Sequence, residues 1–113
     1  MPPKKIGTFE EIQSAKDLAE GTVVDIPEWG FAVKIRGLTR GELIALNALA
    51  DNGNDPDETN IQAAHLALTE PKLTLEQVRD IYRDKSIRAT ERITNAVLEA
   101  SGMTDGFRPG EGN

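Results

Sequence analysis

Cysteine is absent from this chain, which excludes disulfides, thiolate catalysis and the common structural zinc sites, and fits a reducing, cytoplasmic setting. Histidine occurs once, as His65, so neither a cluster of imidazole metal ligands nor a triad drawing on several histidines can be assembled. Aromatics are 4% of the residues, with one Trp, one Tyr and three Phe. The core must therefore come from Leu, Ile, Val and Ala. No apolar run approaches the roughly 20 residues of a membrane span, and the opening MPPKKIGTFEEIQ carries lysines with no apolar stretch behind them, so neither a membrane helix nor a secretory leader is expected. Basic residues are in deficit, 13 against 19 acidic ones, for a net charge of -6. That balance repels polyphosphate and argues against nonspecific nucleic-acid binding. At 113 residues the chain has room for one domain with a modest core.

What the sequence does have is a set of legible helix starts. A Ser or Thr followed three residues later by Glu or Gln can satisfy two orphan backbone N–H groups reciprocally. Thr8/Glu11, Thr39/Glu42, Thr59/Gln62 and Thr74/Gln77 all have this form. Two are reinforced by an apolar pair flanking the cap, Leu38 with Leu43 and Leu73 with Val78. The first box predicts a short helix over residues 9–18 that turns Phe9, Ile12 and the Lys16 stem to one face before Gly21 breaks it. Next, Val24 and Ile26, then Phe31, Val33 and Ile35, recur with the period of two that marks half-buried strands. PEWG lies between them, with Pro27 pre-setting φ and Gly30 able to adopt φ > 0, and so predicts a hairpin loop.

Leu43, Ile44, Leu46 and Leu49, spaced with Ala45, Ala48 and Ala50, form the broad apolar face of a helix after Thr39. DNGNDPDE, residues 51–58, reads as a turn-rich loop. Beyond it Ile61, Ala64, Leu66 and Leu68 fit either a short helix or a helix that turns extended before Pro71. Leu75, Val78, Ile81 and Tyr82 predict one further helix, and Ile87, Thr90, Ile93, Ala96, Val97 and Ala100 a longer one, closed by Gly102 in a left-handed C-cap with Met103 against Leu98. The expected architecture is a small α+β domain over residues 8–103. An N-terminal β-hairpin would pack with three to five α-helices, between flexible tails at 1–7 and 104–113.

Few residues suggest chemistry. His65 sits in AAHLAL, where a satisfied structural histidine suffices. The DNGNDPDE loop has the acidity of a calcium loop, but Pro56 stands at the required glycine and Gln62 at the closing bidentate Glu. GLTRGELIAL lacks the lysine and the spacing of a phosphate cradle. No catalytic, cofactor or metal site is expected, and the protein reads as non-enzymatic. Arg79 and Arg83 lie at i, i+4 on one helix, as do Arg88 and Arg92 on the next. Such a face could serve a helix-turn-helix nucleic-acid binder. The plainer reading pairs these arginines with Glu76, Asp80, Asp84 and Glu91 on a solvated charged surface. Trp29, at the hairpin tip, either caps the core or anchors a partner, since Trp is prominent among residues that dominate interface energetics.

The stretch VVDIPEWGFAVKIRGLTRGEL resembles the opening of tail assembly chaperones of long-tailed phages, the XkdN-like group included. ERITNAVLEASGM is similar to the family's closing helix with its Ser-Gly-hydrophobic end, and LTLEQVRDIYRDKS to the helix before it. The likeness spans most of residues 22–103 in order and spacing. The family's strand–turn–strand is missing from NIQAAHLALTEPK. The resemblance implies an assembly factor that binds the tape measure protein, keeps it soluble and helps recruit tail tube protein. It would work in the cytoplasm of the infected bacterium and be absent from the mature virion. Self-association is a further expectation beside the resemblance. Client-facing candidates are Trp29, Phe31 and whatever parts of Leu43, Leu46 and Leu49 are exposed. Arg79, Arg83, Arg88 and Arg92 carry the alternative nucleic-acid reading, and a structural tail or connector subunit is a third.

Overall fold

The computed structural model describes residues 5–53 and 56–103. It is an α+β domain with a three-stranded antiparallel sheet in the order β1-β2-β3. The elements are α1 (Phe9–Ser14), β1 (Thr22–Ile26), β2 (Phe31–Ile35), α2 (Arg40–Asp51), α3 (Pro56–Ala67), β3 (Leu68–Glu70), α4 (Leu75–Asp84) and α5 (Ile87–Ala100).

The hairpin forms as its period of two demands. Val24 faces Val33 and Ile26 faces Phe31 across the ladder, and Val24, Ile26, Val33 and Ile35 turn inward. Helix α5 packs against β1, and Ala89, Ile93 and Val97 of α5 share one core with the inward hairpin residues, with Ala63, Ala64 and Ala67 of α3 and with Val78 of α4. Helix α3 is central and packs on α2, α4 and α5, while α5 also packs on β1. The capping boxes at Thr8, Thr39 and Thr74 are all formed, and Ser86 caps α5 by accepting from the Ala89 N–H. At the far end of α5, Met103 N–H donates to Leu98 O (2.8 Å) and Gly102 N–H to Glu99 O (3.0 Å), with Gly102 at φ 77°: the expected Schellman closure.

Four expectations are corrected. Helix α1 stops at Ser14, not near residue 18. The Ser14 hydroxyl donates back to the Glu10 and Glu11 carbonyls, Ala15 goes extended, and no residue of the helix is buried to reward a longer one. Phe9 and Ile12 are consequently exposed. The Thr59/Gln62 box does not exist: α3 begins at Pro56, an apt first residue because its missing N–H costs nothing there. Thr59 is instead buried inside the helix with its Oγ1 unpartnered, and Gln62 donates to Glu58. The loop between α2 and α3 is shorter than 51–58, since Asp51 belongs to one helix and Pro56 to the other. Finally, Leu43 and Leu46 are core residues, facing α3 and not solvent.

The ambiguous stretch after Ile61 resolves as a helix that turns extended, with Leu68–Glu70 adding the third strand beside β2. The expected C-terminal tail, 104–113, and residues 1–4 of the N-terminal one lie outside the described residues. Residues 5–7 precede α1 without regular structure, and Lys5 pairs there with Glu11.

The connection from β2 to α2 is a tight junction. Gly37 N–H donates to Ala19 O (2.7 Å) and Leu38 N–H to Ser101 Oγ (2.9 Å). A Cβ on Gly37 would stand 2.5 Å from Ala100 O, so only glycine fits between β2 and the end of α5.

Candidate functional site

The hairpin tip is built from its own turn outward. Ile26 O accepts from both Trp29 N–H (2.9 Å) and Gly30 N–H (3.0 Å), and Gly30 sits at φ 80°, a conformation that suits glycine. This fixes the indole half-buried against the core and presents Phe31 at 59% exposure beside it. The two rings are 5.9 Å apart between centroids and tilted by 38°. That geometry lies in the favourable range for offset aromatic pairs.

Glu28 ties the tip to α5. Its two carboxylate oxygens accept from Arg92 Nε (2.7 Å) and Nη2 (3.0 Å), a bidentate fork across 64 residues of chain. The guanidinium holds the Glu28 carboxyl below the usual carboxylate range. An aromatic pair is thus held on a turn anchored at both its backbone and its flank. Beside it, a groove of about 610 Å³ runs between the outer edge of β1 and α5, with Val23, Asp25, Asn95 and Ala96 in its walls.

The four arginines do not form one face. Arg79 reaches α3, donating to both oxygens of Glu58 (3.2 and 2.5 Å), and also meets Glu76 at 3.0 Å. Arg83 pairs with Asp80 (2.8 Å) and Asp84 (3.0 Å) on its own helix. Arg92 turns to the hairpin, not to its neighbour Glu91, and Arg88 is exposed. The interleaved pairing read from sequence therefore holds for Arg79 and Arg83 and fails for Arg92. Among the proposed client-facing residues, Trp29 and Phe31 are brought together, Leu49 is partly covered, and Leu43 and Leu46 are buried.

Sequence reasoning missed the Glu28–Arg92 fork, because nothing local signals a contact between residues so far apart. It also missed which aliphatics stay outside: Val23, Ile44 and Ile87 are exposed large hydrophobics, as are Ile6, Phe9 and Ile12 near the start. Between α4 and α5, the Tyr82 hydroxyl meets Thr94 Oγ1 at 2.9 Å, and burial pushes its pKa up to about 12, consistent with a structural tyrosine. Among the described residues no three His, Asp or Glu side chains group as metal ligands, and no helix is long and apolar enough to cross a membrane. Comparison with family models, curated proteins and solved structures finds no match to this chain.

Proposed function

We propose that this chain is a protein-binding assembly factor of the phage tail assembly chaperone kind. It would hold the tape measure protein soluble in the infected cell and help bring tail tube protein to it, without joining the finished particle. The observation that carries this reading is the Trp29–Phe31 pair, half-covered and half-open, on a turn held rigid by the Glu28–Arg92 fork. A rigid aromatic anchor gives a client helix contact area at low entropic cost. The order of sequence motifs across residues 22–103 supports the choice of client. The pairing of Arg79, Arg83 and Arg92 weakens the case for phosphate binding, because those charges already have carboxylate partners.

The test is coexpression with the tape measure protein of the same genome, followed by co-purification at low and high salt. Wild type keeps the client soluble and retains it at high salt, because apolar burial is not screened as phosphate contacts are. Phe31→Asp, at an exposed position, folds normally and loses the client. As Trp29 is the only tryptophan, its emission reports the same event, shifting to the blue as the client covers it. A client that Phe31→Asp retains as well as wild type would remove the tip from the interface. Salt-sensitive retention on duplex DNA in place of the client would return the choice to the arginines. Presence in purified particles would favour the structural-subunit reading.

A further inference from the structure

Strand β1 has a neighbour on one side only, because the sheet order is β1-β2-β3. In an antiparallel ladder every second residue of such a strand turns its N–H and C=O away from its partner. Among the described residues no loop or side-chain group takes up those of Thr22–Asp25. The opposite edge is protected by brevity, since β3 is three residues long and is followed by a bend and Pro71. Strand β1 has five residues, contains no proline, and opens onto the groove of about 610 Å³ that it shares with α5.

Charge at the two ends of that groove indicates what fits it. Strand β1 and α5 run in opposite directions: Thr22 pairs with Ile35, whose chain continues to Gly37 against Ala100, while the hairpin tip at the other end meets Arg92 through Glu28. Asp25 therefore stands at one end of the groove and Glu99 at the other. Neither is in an ion pair among the described residues, and the guanidinium of Arg92 is already closed on Glu28. Thr22 to Asp25 is three strand residues, about 10 Å. Val24 and Ile26 turn to the core, so Asp25 points to the other side of the sheet, whereas Glu99 belongs to the helix packed on β1. Two side chains three residues apart on an added strand have this same relation, about 10 Å along and on opposite faces.

The chain itself offers no such strand. Pairing β1 with the β1 of a second copy would bring Asp25 and Glu99 of both copies to one seam with no cation to answer them. Residues 1–4 include Pro2 and Pro3, which have no N–H to donate, and residues 104–113 set Asp105 and Glu111 against Arg108 alone. We infer that the open edge of β1 takes an extended segment of another protein as a fourth strand, one with Lys or Arg at two positions three residues apart, meeting Asp25 and Glu99. The inference goes beyond the tape measure reading and is tested on the full chain alone.

The probe is the octapeptide TVKVTKVT, blocked at both ends and carrying a fluorophore. It binds in an anisotropy titration and slows amide hydrogen exchange at alternate residues of β1 but not in β3. Asp25→Lys and Glu99→Lys, both at exposed positions, each weaken binding about fivefold with unchanged melting temperature. Of the two peptides with one lysine exchanged for glutamate, one regains wild-type affinity with Asp25→Lys and the other with Glu99→Lys, which also gives the strand's direction. A proline at the peptide's central valine abolishes binding, because it removes a ladder donor. No binding at about 1 mM peptide overturns the inference. So do binding without protection of β1, equal binding of the peptide with both lysines exchanged for glutamate, or affinity that neither reversal changes. A wild-type dimer that the peptide dissociates would instead assign the edge to a second copy and overturn it.

Discussion

Helices α2 and α4 start alike and end up with opposite surfaces. Both follow a Thr cap with a complete capping box, and both bury apolar residues one turn in. Outward, α4 carries Glu76, Arg79, Asp80, Arg83 and Asp84, tied to each other and to Glu58 of α3, whereas α2 shows Gly41, Ile44, Ala45 and Ala48. Burial requirements alone would have allowed either surface on either helix. A charged surface keeps α4 in water. The bare one leaves Ile44 exposed, so the difference separates residues that the core requires from residues that it does not.

The contrast sharpens most at the inner faces, where the two helices should behave alike. Leu46→Ala, at a residue 2% exposed, removes core volume and is expected to cost about 2–5 kcal/mol in denaturant unfolding. Val78→Ala, in α4, costs less in proportion to its smaller side chain. A result near zero for Leu46 would mean that α2 is not part of the cooperative unit. Gly37→Ala comes next, at about 1–3 kcal/mol, because the new methyl meets the Ala100 carbonyl and α2 loses its lead-in from the sheet.

The two capping boxes differ in their answer to acid. Glu42 accepts from Thr39 N–H and, through both oxygens, from Arg36 (2.9 and 2.7 Å). Arg36 first, then the backbone N–H of Thr39, pull its pKa down from 4.5 to about 2, against an opposing burial effect. A carboxyl with a lowered folded-state pKa stabilises above its ordinary value and loses that contribution as pH falls toward the folded value. The melting-temperature gap between wild type and Glu42→Gln is therefore full above pH 4.5 and closes toward pH 2. Thr74→Ala, whose box partner is the neutral Gln77, costs about 1 kcal/mol with no such pH dependence. A Glu42→Gln gap that is flat with pH would break the distinction. The smallest effect belongs to Thr59→Val, which replaces the buried, unpartnered hydroxyl in α3 and should be neutral or stabilising by about 0.5–1 kcal/mol.

What the sequence made legible was what neighbours in sequence decide. The boxes at Thr8, Thr39 and Thr74, the PEWG reversal and the Gly102 closure depend on residues within a few positions of each other, and all formed. The Thr59/Gln62 match failed although its spacing was right, because Pro56 offered an earlier start. A capping box needs an unoccupied helix end, which spacing does not report. Likewise the apolar residues of α2 gave its helicity but not its orientation, since large and small apolar residues, Ile44 and Ala48 as well as Leu43 and Leu46, occur all round it. Which side became core was set by α3, and so Leu46 went inside and Ile44 stayed out. At the candidate site, Trp29 and Phe31 were visible from the hairpin pattern, while Arg92 was assigned to the wrong carboxylate because its partner comes from a different part of the chain.

The contacts of α5 also set a timetable for the protein during synthesis. The fork that pins the hairpin requires Arg92, and the bond that holds the lead-in to α2 requires Ser101, 63 residues after Leu38. As the chain grows from its N-terminus, the hairpin and the first half of the helices are made while their shared apolar surface still lacks Ile93 and Val97. The nascent chain must stay unaggregated with that surface open until its last helix is translated. A protein proposed to shelter another chain is thus itself unsheltered until almost all of this domain has been made.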